Sequence, residues 1–170
     1  MRRFAPVIAL GAVLALASTV TANGNLRSFG TGDVSVHGGQ VTISNDAGEY
    51  GGVYLNSRNL SSKRLRAVHI SFVSSGDAAG GAPRFSIPLN TGHKESTKPY
   101  AFLDVNNCGS ALVSTDNSHC KVFLNFSSES FDNWADLVAT YPTWRIAKAG
   151  IPFIIADQPG DYEISHIDLR

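Results

Sequence analysis

"HISFVSSGDAAGGAPRFSIPLN", His69 to Asn90, contains two alternating runs around a loop of small residues. In the first, Val68, Ile70 and Phe72 alternate with His69 and Ser71. In the second, Phe85, Ile87 and Leu89 alternate with Arg84 and Ser86. A period of two puts one set of side chains on a core and the other on the opposite face, so both runs read as half-buried β-strands. Pro88 has no backbone donor, which places its strand at a sheet edge or marks an interruption there.

The same pattern extends in both directions along the chain. "VSVHGGQVTISN" alternates Val34 and Val36 on one arm and Val41 and Ile43 on the other. Gly38-Gly39 supplies the positive φ of a tight primed turn, which makes the segment a hairpin. "GGVYLNS", "YAFLDV", "CKVFLNF", "TWRIA", "IPFIIAD" and "YEISHIDL" read as further strands. "NNCGSALVSTDNSHC" reads as a turn region and "QPG" as a turn, with "DYE" (Asp161 to Glu163) straddling it.

One segment departs from this period. "SESFDNWADLVATYP" sets Phe131, Trp134, Leu137 or Val138, and Tyr141 at helical spacing, with Ser130 as N-cap and Pro142 as the stop. Many strands, one short helix near 130–141 and no βαβ alternation define an all-β fold. The expected architecture is an antiparallel β-sandwich of jelly-roll type.

Residues 1–22 combine Arg2 and Arg3 with an apolar run from Val7 to Ala17 and small residues ending at Ala22. This is the pattern of a secretory signal peptide, and the run is shorter than the roughly 20 residues that span a bilayer. The expectation is an extracellular, secreted, monomeric protein without a membrane anchor, folded as one domain over residues 23–170. In an oxidising compartment Cys108 and Cys120 are expected to form a disulfide. The chain has 14 Lys and Arg against 14 Asp and Glu. The longest basic cluster, "SKRLR" at Ser62 to Arg66, reads as a solvated turn, so nucleic acid is not an expected partner.

Catalytic and metal chemistry have little local support. His37, His69, His93, His119 and His166 form no metal-ligand spacing with a neighbour, and no metal or cofactor is expected. There is no Gly-x-Ser-x-Gly nucleophile turn, and the strands as read supply no pair of carboxylates two positions apart. "SSGDAAGGAP" leads into a strand, whereas a phosphate-binding loop leads into a helix. Asn59-Leu60-Ser61 and Asn125-Phe126-Ser127 are glycosylation sequons, and Asn59, in a polar loop, is the better candidate.

Taken with the Phe-x-x-Trp helix, "GGVYLNS", "SGDAAGGAPRFSIPL", "YAFLDVNNCG" and "PFIIADQPGDYEISHIDL" resemble a group of small secreted microbial β-sandwich proteins. Their element order is similar to that of jelly-roll carbohydrate-binding modules. The resemblance implies a fold and a secreted life. In those modules the closing strand often carries an Asp-Asn pair that helps hold a structural calcium. Here Ser165 and His166 stand in those places, which disfavours calcium and leaves Asp168 as the nearby oxygen donor.

If Ala101, Leu103 and Val105 face the core, then Tyr100, Phe102 and Asp104 share the opposite face, together with Arg84 and Ser86. Aromatic rings stack on sugar C–H groups, and charged groups fix hydroxyls. The expected site is therefore a shallow glycan groove centred on Arg84, Tyr100 and Asp104, with His69 at its margin. The leading expectation is a noncatalytic binder of glycan or cell-wall polysaccharide. The alternatives are a cell-surface structural or interaction protein without a small ligand, and an unrecognised secreted hydrolase.

Overall fold

The structure is a computed structural model and describes residues 26–56, 58–95 and 97–170. The signal peptide expected over residues 1–22 lies outside the described residues. In chain order the first strands are β1 (Arg27–Gly30), β2 (Asp33–His37), β3 (Gln40–Asn45), β4 (Gly51–Tyr54) and β5 (Ile70–Gly76). Next come β6 (Arg84–Asn90), β7 (Tyr100–Asp104), β8 (Leu112–Ser114), β9 (Val122–Leu124) and β10 (Ser130–Phe131). The helix α1 (Trp134–Thr140) precedes β11 (Arg145–Ile146), β12 (Phe153–Ala156) and β13 (Gly160–Leu169).

These strands form two antiparallel sheets. The smaller runs β2-β3-β13-β5-β8, and the larger runs β1-β4-β12-β6-β7-β9-β10 with β11 also paired to β6. The chain changes sheet between β1 and β2, β3 and β4, β4 and β5, β5 and β6, β7 and β8, β8 and β9, and β12 and β13. The inner strands β3-β13-β5-β8 and β4-β12-β6-β7 therefore make the eight-stranded jelly roll.

Alternation selects the face that each strand buries. In β3 the pattern is strict: Val41, Ile43 and Asn45 are buried and the residues between them exposed. Phe72 of β5 and Phe85 of β6 meet edge to face between the sheets, with ring centroids 4.7 Å apart. Ile70, Ile164 and Tyr162 of the smaller sheet and Ile87, Leu103 and Ile154 of the larger are buried in the same core. The Tyr162 hydroxyl donates to the carbonyls of Gln158 and Pro159, 3.1 Å from each, and so ties the β12–β13 turn to the core.

The β2–β3 hairpin has the expected register, Val34 opposite Ile43 and Val36 opposite Val41, with Gly38 and Gly39 at φ 58° and 85°. A side chain rarely adopts two consecutive positive φ values, which is why the turn is Gly-Gly. Pro88 marks an interruption: β12 pairs with β6 through Ser86, and β11 takes up the same edge from Leu89.

Three sequence expectations change. The helix begins at Trp134, capped by Asn133, whose side-chain oxygen accepts from the Asp136 N–H; Ser130 instead belongs to β10. The segment between the cysteines is more than a turn region, because Leu112–Ser114 crosses to the smaller sheet and pairs with β5. Asp161 and Glu163 do not straddle a turn. Both lie on β13 two positions apart, so this strand does supply a same-face carboxylate pair.

The disulfide between Cys108 and Cys120 is formed. Among the described residues no helix is long and apolar enough to cross a membrane.

Candidate binding face

The outward positions of β6 are Arg84, Ser86, Pro88 and Asn90, and the first two anchor rows across several strands of the larger sheet. The Ser86 row reads Arg27, Tyr54, Phe153, Ser86, Phe102, Phe123, Ser130 from β1 to β10. The Arg84 row carries Phe29, Gly52, Ile155, Arg84 and Asp104, and Tyr100 lies opposite Pro88. Tyr100, Phe102 and Asp104 thus share the outer face, while Ala101 and Leu103 are fully buried inside.

The rings on this face form a continuous strip. Phe29 lies 4.4 Å from Tyr54 and 5.6 Å from Phe153, centroid to centroid. Phe153 lies 5.6 Å from Tyr100, which stands parallel to Phe102 at 6.5 Å. Guanidinium groups border the strip on both sides. Arg27 sits 4.9 Å over the Tyr54 ring and Arg84 5.3 Å over Phe102. All five strip rings are half-buried, so each has one surface in the packing and another open to solvent.

Polar groups within the strip are held in place. Arg84 makes a two-pronged pair with Asp157, at 2.9 and 2.5 Å, which orients the guanidinium over Phe102. The Ser86 side chain is 1% exposed beneath the rings, and among the described residues its hydroxyl has no hydrogen-bond partner. Burial, reinforced by the nearby Tyr54 phenol, lifts the Tyr100 pKa above the ordinary tyrosine range. Tyr100 therefore remains a neutral hydroxyl at physiological pH.

Of the residues expected at the groove, Arg84 and Tyr100 lie within this strip and Asp104 lies at its edge in a different role. Asp104 is 8% exposed, and its Oδ1 accepts from both the backbone N–H and the side-chain amide of Asn107, at 3.0 and 2.6 Å. It caps the short 3-10 turn Val105–Asn107. Asp104→Ala is expected to lower folding stability by about 1–2 kcal/mol through loss of those bonds, measured by urea denaturation.

His69 is not brought to this face. It immediately precedes β5, pairs with the end of β13 in the smaller sheet, and its Nδ1 lies 2.8 Å from Asp116. Alternation along β5 and β6 reports which residues face the core, but not that the two strands enter opposite sheets. The Asn125 side chain bridges Tyr100 N–H and the Lys98 carbonyl, and Asn59 donates to the Leu169 carbonyl; both are exposed.

The sequence reading missed Phe29, Tyr54, Phe153 and Asp157. Phe153 and Ile155 alternate with Ile154 and Ala156, so both faces of β12 are apolar and the strand gives no phase. The smaller sheet's outer surface is the opposite in character: Ser44 donates to Asp161 at 2.6 Å and Ser75 to Glu163 at 3.0 Å. Among the described residues no group of three or more His, Cys, Asp or Glu is placed to hold a metal ion. In comparison with known proteins, the chain matches no family model and no curated protein sequence.

Proposed function

We propose that this is a secreted, noncatalytic binding protein whose outer aromatic strip holds polysaccharide. The observation that carries the reading is the unbroken path of rings Phe29, Tyr54, Phe153, Tyr100 and Phe102 on the solvent side of a rigid sheet. The strip offers apolar ring surface to the C–H groups of sugars, with Tyr100 and Phe102 parallel to each other, and Arg27, Arg84 and the Tyr100 hydroxyl supply donors beside it. An open strip suits a long chain gripped at several points better than a small molecule that needs enclosure. Secretion is supported by the Cys108–Cys120 bond and by the signal-like character of residues 1–22.

The carboxylates do not favour hydrolysis. Asp104 is engaged in its cap, and Asp161 and Glu163 belong to the other sheet, away from the rings. Reducing-sugar release that disappears in Glu163→Gln would overturn the noncatalytic part of the reading.

The test is affinity electrophoresis and pull-down of residues 23–170 on a panel of neutral and acidic polysaccharides. Phe153→Ala is expected to weaken binding by about tenfold or more, the scale of one well-placed aromatic contact, without loss of the folded circular-dichroism spectrum. Absence of binding to every polymer, with capture of a protein partner that is lost in Phe153→Ala, would instead favour the cell-surface interaction role.

A further inference from the structure

We infer that the polysaccharide is an acidic one, selected by a cationic margin along one side of the aromatic strip. This inference rests on the binding reading above and adds a substrate class to it.

The margin is assembled from two distant segments. Residues 58–66 contribute Arg58, Lys63, Arg64 and Arg66, residues 145–148 contribute Arg145 and Lys148, and neither segment contains an acidic residue. Backbone pairing holds the segments side by side: Arg64 bridges to Arg145, Ile146 N–H donates to the Lys63 carbonyl at 2.9 Å, and Leu65 N–H to that of Trp144 at 3.2 Å. The ion pairs among the described residues are His69–Asp116, Arg84–Asp157 and Arg170–Asp168, so among these residues none of the six cations is paired with a carboxylate. Such a concentration of unpaired positive charge attracts a polyanion.

Two cations of the margin, Arg145 and Arg64, face the same way as the rings. Arg145 lies opposite Asn90, the next outward position on β6 after Pro88, and Arg64 continues that row. Two residues along a strand span about 7 Å. The cations therefore begin roughly one sugar unit beyond the Pro88–Tyr100 row. Between them the chain turns closely over Pro88: a Cβ at Gly150 would come within 2.4 Å of the proline Cβ. Lys148 stands exposed on this loop, and Arg58 and Lys148 line one shallow hollow beside it. The five strands of the smaller sheet contain no Lys or Arg, which makes the charge one-sided. A chain with carboxylate or sulfate groups could stack on the rings while its charges meet the margin. Guanidinium forks match both anions.

The test compares polymers that share a backbone and differ chiefly in charge: polygalacturonate with its methyl-esterified form, and dextran sulfate with dextran. The wild-type chain is expected to bind an acidic member at least about tenfold more tightly than its neutral counterpart, with affinity falling as salt rises. The triple variant Arg58→Gln/Arg64→Gln/Lys148→Gln uses exposed cations and spares Arg145, which donates to the Ser62 carbonyl. It is expected to lose that preference while retaining the Phe153-dependent binding of neutral polymers. Equal binding within both polymer pairs, or full acidic preference in the folded triple variant, overturns the inference but leaves the ring-face reading intact. Should the triple variant fail to fold, the wild-type comparison within each pair still decides. A DNA duplex of matched charge that binds as tightly as the acidic polysaccharides also overturns it. Failure of all the polymers, neutral and acidic, rejects both the inference and the reading beneath it.

Discussion

Phe85→Ala is expected to cost about 4 kcal/mol of folding free energy, measured by urea or guanidinium denaturation. Phe85 has no exposed surface and meets Phe72 edge to face at the centre of the sandwich. Its removal takes a whole ring out of contact with both sheets, and neighbours fixed in two hydrogen-bonded sheets cannot close the gap. A domain of this size is held together by about 5–15 kcal/mol in total, so the variant should lose a large fraction of its stability. A loss below about 1.5 kcal/mol would mean that the sheets move together to fill the space, against the picture of a rigid core.

Phe153→Ala provides the contrast that connects this core to function. Its ring lies on the opposite face of the same sheet, half-buried among Tyr54, Phe29 and Tyr100. Truncation there gives up one ring's side contacts and leaves no enclosed cavity, so the cost should be about 1–2 kcal/mol. If the two alanine variants were equally destabilised, the outer rings would be packing for its own sake and not a surface held open for a partner.

Much of the sandwich is legible because alternation is a local signal. Val41 and Ile43, or Phe85 and Ile87, declare their inward face in their own few residues, and Gly38-Gly39 declares its turn. What alternation leaves open is the partner. His69 and Arg84 look equivalent in phase, yet β5 and β6 belong to opposite sheets, and only the topology separates them. Ser86 and Pro88 are polar or turn-forming by type, but both are buried, because Phe102, Phe153 and the Gly150 loop from other strands cover them. Likewise Asp157, which orients Arg84, lies 73 residues away along the chain. Elements of two or three residues, such as β8, β10 and β11, are too short to display any period. The aromatic strip is a property of neighbouring strands in register, which no single strand announces.

The bond between Cys108 and Cys120 should matter most where local structure is weakest. Between the two cysteines the chain leaves β7, crosses to the smaller sheet for the three residues of β8, and returns to β9. Three residues paired with β5, together with the Thr115 hydroxyl, which donates to the Val68 carbonyl and accepts from the Ile70 N–H, are a small hold on such an excursion against chain entropy. The bridge closes it at the neck over a sequence separation of 12, where Lys121 N–H also donates to the Asn107 carbonyl. Inside the loop, the Asn117 amide donates to the carbonyls of Cys108 and Leu112, at 3.2 and 3.1 Å, and so depends on the same closure. Cys108→Ala/Cys120→Ala is expected to lose about 3 kcal/mol, the loop-closure scale for this span. Alanine is the appropriate replacement because both sites are buried, and a serine hydroxyl would add a desolvation cost of its own. Hydrogen exchange should speed up first at the Val113 and Ser114 amides, while the amides of β3 and β13 follow only the global loss of stability. A double variant within about 0.5 kcal/mol of the wild type, with β8 protection unchanged, would show that hydrogen bonds alone hold the excursion.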